Sequence, residues 1–212
     1  MRHLQTAHGV DGERLALIGQ SVGAVIAATW VHDYAAPIRC LVLAAPAFKV
    51  KLYVPLARAG LTLLYRLRGN FSITPYAKAK FPSQHTPRTR PYDEDRLIAR
   101  AISARVLLGL LAAAERIVDD APAIRLPVQL LIPEKDWVVY RAPQEQFFRR
   151  LGSPRKECHV LPGFLHDALG ERDRQIALAH VRDFVERVFA SPATADSLLQ
   201  ADRDGHTHAE EL

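Results

Sequence analysis

LALIGQSVGAVIAA, Leu15–Ala28, decides how the rest of the chain is read. An apolar run, Leu15–Ile18, stops at Gly19. Gln20, Ser21, Val22 and Gly23 follow, and then a run rich in alanine and valine extends to Tyr34. The first run is short, apolar on both faces and ended by glycine, the pattern of a buried strand. The second fits a helix over Val22–Tyr34 whose small side chains let it lie close on a sheet, and Pro37 ends it. A single serine therefore stands between two glycines at a strand-to-helix turn.

G-x-S-x-G in that position has the form of a nucleophile elbow. The turn is tight, so its neighbours are expected to be small, and the serine hydroxyl is thrown clear of the sheet. The helix that starts next aims backbone N–H groups at the same spot, and the N–H of Val22 is the expected donor to a developing oxyanion. A serine hydroxyl needs a base, and the base needs a carboxylate to orient it. On this scaffold the chain order is Ser, then Asp or Glu, then His, each just past the carboxyl end of a strand. Asp136, in LLIPEKDWVV, follows an apolar strand at Val128–Ile132, with Glu134 as its near rival. His166, in HVLPGFLHDALGE, falls between the last strand and the last helix. His159 lies inside that strand and reads as structural; His3, His8, His32, His85 and His180 have no comparable placement.

The remaining grammar alternates strands with helices. IRCLVLAAPAF, Ile38–Phe48, is a second continuous apolar strand ended by Pro46. KECHVLPG reads as another strand, Ala142–Leu151 as an amphipathic helix ended by Gly152, and Ile176–Phe189 as a closing helix. Strands apolar on both faces belong to a mostly parallel sheet covered by helices, an α/β fold. Residues 49–120 change character. They carry helical patterns at Leu52–Leu67 and Leu97–Val118 around a Pro- and Arg-rich loop, FPSQHTPRTRPYDED, with no strand pattern, and read as a helical cap inserted into the core. The chain thus divides into residues 1–48, the elbow part of the core; 49–120, the cap; 121–190, the rest of the core; and a polar tail at 191–212.

Composition limits the alternatives. The 212 residues are 49% hydrophobic and 24% charged, which fits a globular chain with one ordinary core. Cys40 and Cys158 cannot make a disulfide framework and read as buried thiols of a reducing compartment. Met1 is followed by RHLQTAHGVDGER, which has no apolar core of a secretory leader, so the cytoplasm is the expected location. Leu15–Val31 is uncharged, but Gln20, Ser21 and two glycines in its middle favour strand, turn and helix over a membrane span. The net charge is +5, yet residues 47–92 alone hold nine Lys or Arg and no Asp or Glu. Such a patch is either a solvated face or a surface for an anionic partner, such as the inner face of a membrane. No nucleic-acid motif accompanies it, and nucleic acid is not expected. In the tail, counting from Gln200 puts Asp202, Asp204, Gly205 and Glu211 at calcium-loop positions, but the first position should be Asp. No metal or cofactor is expected.

LALIGQSVGA, LVLAAPAF, LLIPEKDWVV and HVLPGFLHD together resemble the α/β-hydrolase superfamily, in particular its monoacylglycerol lipase and lysophospholipase group, also described as serine aminopeptidase-like. The resemblance covers roughly Val10 to Ala190. It implies Ser21 as nucleophile, Asp136 as orienter, His166 as base, a helical cap at residues 49–120 and a lipid-like acyl ester, such as a lysophospholipid or monoacylglycerol, as the small-molecule substrate; an aminopeptidase-type hydrolase with the same triad is the alternative. Members of that group carry several strands ahead of the elbow and an HGG- or HGxG-like loop that gives the second oxyanion donor. Neither precedes Ser21 here. The expectation is a C-terminal part of the fold, N-terminally truncated, with an incomplete oxyanion hole and an exposed sheet edge, which leaves an inert fragment or interaction module as a further alternative. CLVLAAPAFKVKLYVPLARAG also resembles the hydrolase part of bacterial fusions with an S-adenosylmethionine-dependent methyltransferase, so such a domain is a candidate partner in a longer product.

Overall fold

The computed structural model describes residues 2–35, 37–74 and 101–192. Helix α1 (Arg2–His8) leads into β1 (Ala16–Gln20), α2 (Val22–Tyr34) and β2 (Cys40–Ala44). Then come α3 (Ala57–Arg68), β3 (Ser72–Ile73), β4 (Ile102–Ser103) and α4 (Ala104–Asp119). The chain continues through β5 (Val128–Pro133), α5 (Arg141–Arg150), β6 (Lys156–Leu161) and α6 (Arg174–Phe189). The Pro- and Arg-rich loop, His85 and the calcium-like tail lie outside the described residues.

Four strands form one parallel sheet in the order β1-β2-β5-β6. This is the α/β architecture that the apolar runs imply. β2 and β5 are central and buried along their whole length. β1 and β6 lie at the edges and are only partly covered. Alternation along the central strands builds two cores. Leu41, Leu43, Val128, Leu130 and Ile132 face α2, α4 and α5. Cys40, Val42, Ala44 and Leu131 face α6, where Ala177, Val181, Phe184 and Val188 cover them. Each fully buried leucine stabilises the fold by roughly 1.5–3 kcal/mol. At the edge, Ile18 of β1 is 47% exposed, so the sheet ends on an uncovered apolar side chain.

The helices between residues 49 and 120 behave differently from one another. α3 buries no residue. α4 buries Leu111, Ala114, Ile117 and Val118 in the same core as β2 and β5. Ser103 caps α4 by accepting the Val106 N–H, and its hydroxyl donates to Asn70 Oδ1, which ties the end of α3 to the start of α4. The antiparallel pair β3–β4 sits at that junction, contrary to the expectation that this region holds no strand. Two paired residues on each side are too few to leave an alternating pattern in a sequence. No helix among the described residues is long and apolar enough to cross a membrane.

Candidate active site

The site forms beyond the carboxyl ends of β1, β5 and β6, where the residues that follow these strands converge. Ser21 follows the last residue of β1 and adopts φ 54° and ψ −119°. A non-glycine residue in this region carries on the order of 1–3 kcal/mol of strain and persists only where neighbours fix it. Here the Ser21 N–H donates to the Ala44 carbonyl at 2.9 Å, and the Ser21 carbonyl accepts from Ala24 and Ala47 at 3.1 Å each. The elbow is thereby bolted to the end of β2 and to the first turn of α2.

The two glycines of the pentapeptide differ. A Cβ on Gly19 would lie 2.7 Å from both the Ala24 Cα and the Gly23 carbonyl oxygen, so only glycine fits. A Cβ on Gly23 would meet nothing within 4 Å. The expectation that both glycines serve crowding is therefore corrected at Gly23: strand and helix close on each other at Gly19, while Gly23 faces open space.

Asp136 sits in the loop after β5. Its Oδ1 accepts the N–H groups of Val138 and Val139 at 2.7 and 3.0 Å, a turn that fixes the carboxylate. The loop is also held from the segment that follows β2. Lys51 Nζ donates to the Asp136 carbonyl at 2.7 Å, and the Lys51 N–H donates to the Val138 carbonyl. Glu134 does something else: its Oε2 accepts the Gly163 N–H at 2.8 Å and so supports the loop that carries His166. Lys135 N–H to the Phe164 carbonyl stitches the same two loops together.

His166 stands between the other two groups. Its Nδ1 lies 2.8 Å from Asp136 Oδ2, and its Nε2 lies 2.7 Å from Ser21 Oγ. A carboxylate only accepts hydrogen bonds, so Nδ1–H donates to Asp136 and Nε2 is left to accept the serine hydroxyl. The His166 and Asp136 side chains are 8% and 6% exposed, so bulk water barely competes for either bond. Val22 is the first residue of α2, and a first-turn N–H has no partner within its own helix.

The remaining candidates fall elsewhere. His159 Nε2 donates to Glu157 Oε1 at 3.1 Å and stacks on His180, with ring centroids 3.9 Å apart. His32 pairs with Asp33 on α2. The Cys40 and Cys158 thiols are free, and burial pushes both up to about 11, which leaves neither as a ready thiolate. No metal-binding group of three or more ligating side chains occurs among the described residues. The sequence reading missed Lys51 and the supporting part of Glu134. Both act through backbone groups brought together by folding, and no local motif marks them.

Comparison with known proteins bears on the family and the fold. The chain matches the family described as serine aminopeptidase, S33, over residues 1–173. It is 53% identical over 179 residues to the uncharacterized protein YnbC of Escherichia coli K12; that match takes in 84% of this chain and 31% of YnbC, so the chain spans less than a third of that relative's length. Among solved structures, a monoacylglycerol lipase of Paleococcus ferrophilus aligns with a TM-score of 0.74 at 22% identity, covering 81% of this chain and 68% of the lipase. A soluble variant of the monoglyceride lipase of Saccharomyces cerevisiae aligns with a TM-score of 0.71 at 15% identity, covering 81% and 64%. The fold is shared with these lipases, and the family match spans most of the chain: the protein belongs to the serine aminopeptidase S33 family of α/β-hydrolases.

Proposed function

We propose that Ser21, His166 and Asp136 act as the catalytic triad of a serine ester hydrolase for lipid-like acyl esters such as monoacylglycerols or lysophospholipids. The observation that carries this is the unbroken relay from Ser21 Oγ through both nitrogens of His166 to Asp136 Oδ2, in two contacts of 2.7 and 2.8 Å. Ser21 Oγ attacks the ester carbonyl carbon while His166 Nε2 takes the hydroxyl proton. The Val22 N–H faces the oxygen that becomes negative, and Asp136 stabilises the imidazolium. The intermediate collapses, the C–O bond to the alcohol breaks, and His166 returns the proton to the leaving oxygen. Water, activated by the same nitrogen, then frees the acid from Ser21.

The proposed setting is the cytoplasmic face of an anionic membrane. What supports it is α3, whose Leu63 and Leu67 stand four residues apart on one side and are 60% and 75% exposed, with Leu56, just before the helix, 83% exposed. Arg66 and Arg68 lie on the same short helix, and no acidic residue occurs between Lys49 and Thr74. Apolar side chains flanked by arginines suit an interface with anionic head groups.

A second reading, cleavage of an amide at a free amino terminus, draws on the family's own description. The acid-free stretch around Lys49 and Lys51 offers nothing to hold an ammonium group. Turnover of p-nitrophenyl butyrate and a monoacylglycerol, set against an aminoacyl p-nitroanilide, separates the two. Ester turnover that is lost in Ser21→Ala supports the first reading; anilide turnover alone would replace it with the second.

A further inference from the structure

Gln20 is the residue immediately before the serine, and its side chain reaches across to the residues just after the histidine. Its Nε2 donates to Asp167 Oδ1 at 2.7 Å, and its Oε1 accepts the Leu169 N–H at 3.0 Å. We infer that Gln20 is a positioning residue that locks the distance between Ser21 and His166. The inference rests on the triad reading above and extends it to a residue outside the triad.

The topology explains why such a clamp is needed. β1 and β6 lie at opposite edges of the sheet and share no backbone hydrogen bonds. The elbow therefore has no ladder to the histidine loop, which runs 162–173 between β6 and α6. The near end of that loop is fixed by Glu134 and by the Lys135 N–H, as described above. Gln20 fixes the far end. His166 is thus held between two anchors, one on the β5 loop and one on the strand that carries the nucleophile.

The chemistry requires an amide at this position. One end must donate, because Asp167 presents a carboxylate oxygen; the other must accept, because Leu169 presents an N–H. A flipped amide would set oxygen against oxygen and N–H against N–H, so only one orientation satisfies both partners. Methionine has the same reach and neither function, while glutamate can accept but cannot donate when ionised. Phe164, Leu165 and Ala168 are buried in the same loop. They keep the loop in place without Gln20, so the loss falls on the precision of the relay rather than on the fold.

The test uses the 212-residue chain and four of its variants, Gln20→Met, Gln20→Glu, the double exchange Gln20→Glu with Asp167→Asn, and Ser21→Ala. The readouts are the second-order rate of fluorophosphonate labelling between pH 5.5 and 9, the labelled residue by mass spectrometry, and deuterium exchange at the Leu169 amide. Gln20→Met should slow labelling about 10- to 100-fold, the scale of a misplacement near 1 Å, with reversible probe affinity unchanged and faster exchange at Leu169. Gln20→Glu should be much slower than the unaltered chain at high pH and close that gap as the pH falls, when the facing carboxylates share a proton. The double exchange reverses donor and acceptor, the new amide on the histidine loop donating to the new carboxylate on β1, and should restore the rate to within about threefold. Labelling of Gln20→Met at the unaltered rate, or a double exchange no faster than Gln20→Glu, overturns the positioning role and leaves the triad standing. An unaltered chain that is not labelled at Ser21 overturns the triad reading and this inference with it.

Discussion

Ser21 Oγ and His166 Nε2 stand 2.7 Å apart although 145 residues separate them in the chain. Two separate strand ends set that distance, and the Asp136 loop sets the orientation of the ring between them. If this relay performs the chemistry, the two acidic residues of the β5 loop have separable parts. Asp136→Asn leaves the shape intact but disturbs the histidine tautomer, and ester turnover should fall by about 10⁴. Glu134→Gln keeps an acceptor for the Gly163 N–H and should stay within about tenfold of the unaltered rate. Steady-state kinetics on the two variants checks the contrast; equal losses would reassign the orienting carboxylate.

The glycines of the elbow should also separate, this time in stability. Gly19→Ala drives a methyl against the backbone of Gly23 and Ala24 at 2.7 Å and should cost about 3 kcal/mol or more, the scale of overpacking. Gly23→Ala adds a methyl in open space within α2 and should stabilise by up to about 1 kcal/mol through helix propensity. Urea unfolding of both variants measures the difference.

Acid sensitivity should trace in part to the stacked pair His159–His180 between β6 and α6. Burial, and then the charge on His159, holds the His180 imidazole below its ordinary value of 6.5, while Glu157 and Asp183 pull it back up. The folded chain therefore takes up this proton at lower pH than the unfolded chain. Stability should fall as the pH drops below about 6.5. Glu157 works in the same direction lower down. Burial raises its carboxyl, but hydrogen bonds from His159, Gln129 and Arg187 outweigh that and hold it below 4.5. Its contribution is present above 4.5 and is lost as the pH falls through the lowered value. His180→Phe keeps a stacked ring and removes the first component, so unfolding free energies between pH 7 and 5 should decline less steeply than in the unaltered chain.

The exposed leucines of α3 predict a salt-sensitive association with lipid. The chain should sediment with phosphatidylglycerol vesicles, sediment much less with phosphatidylcholine vesicles, and lose binding as salt rises. Leu63→Glu with Leu67→Glu should abolish it while leaving the thermal midpoint within about 2 °C, since neither side chain is buried. Binding that ignores lipid charge would contradict the role given to the arginines.

Much of this was legible in the chain. β5 and α2 lie where their apolar runs and glycine or proline boundaries put them, because buried parallel strands and a small-residue helix leave strong local signals. The meeting of Ser21, Asp136 and His166 was legible for the same reason, each falling past a strand read from the chain, while their catalytic roles stand as the proposal. What stayed hidden depends on contacts between distant segments. α4 joins the main core, and nothing local separates its inward stripe from that of a cap helix. Gln20 reads as the unspecified second residue of the pentapeptide, and its partners lie 147 and 149 residues away. Gly23 reads as a steric necessity because the motif contains it, and only the space around its missing Cβ says otherwise.

The most direct test of the central claim is the site of covalent labelling. The 212-residue chain is treated with a fluorophosphonate, digested and mapped by mass spectrometry beside Ser21→Ala and His166→Ala. The account predicts one adduct, on Ser21, absent from the first variant and strongly reduced in the second. An adduct on another residue, or equal labelling of Ser21 without His166, would contradict it.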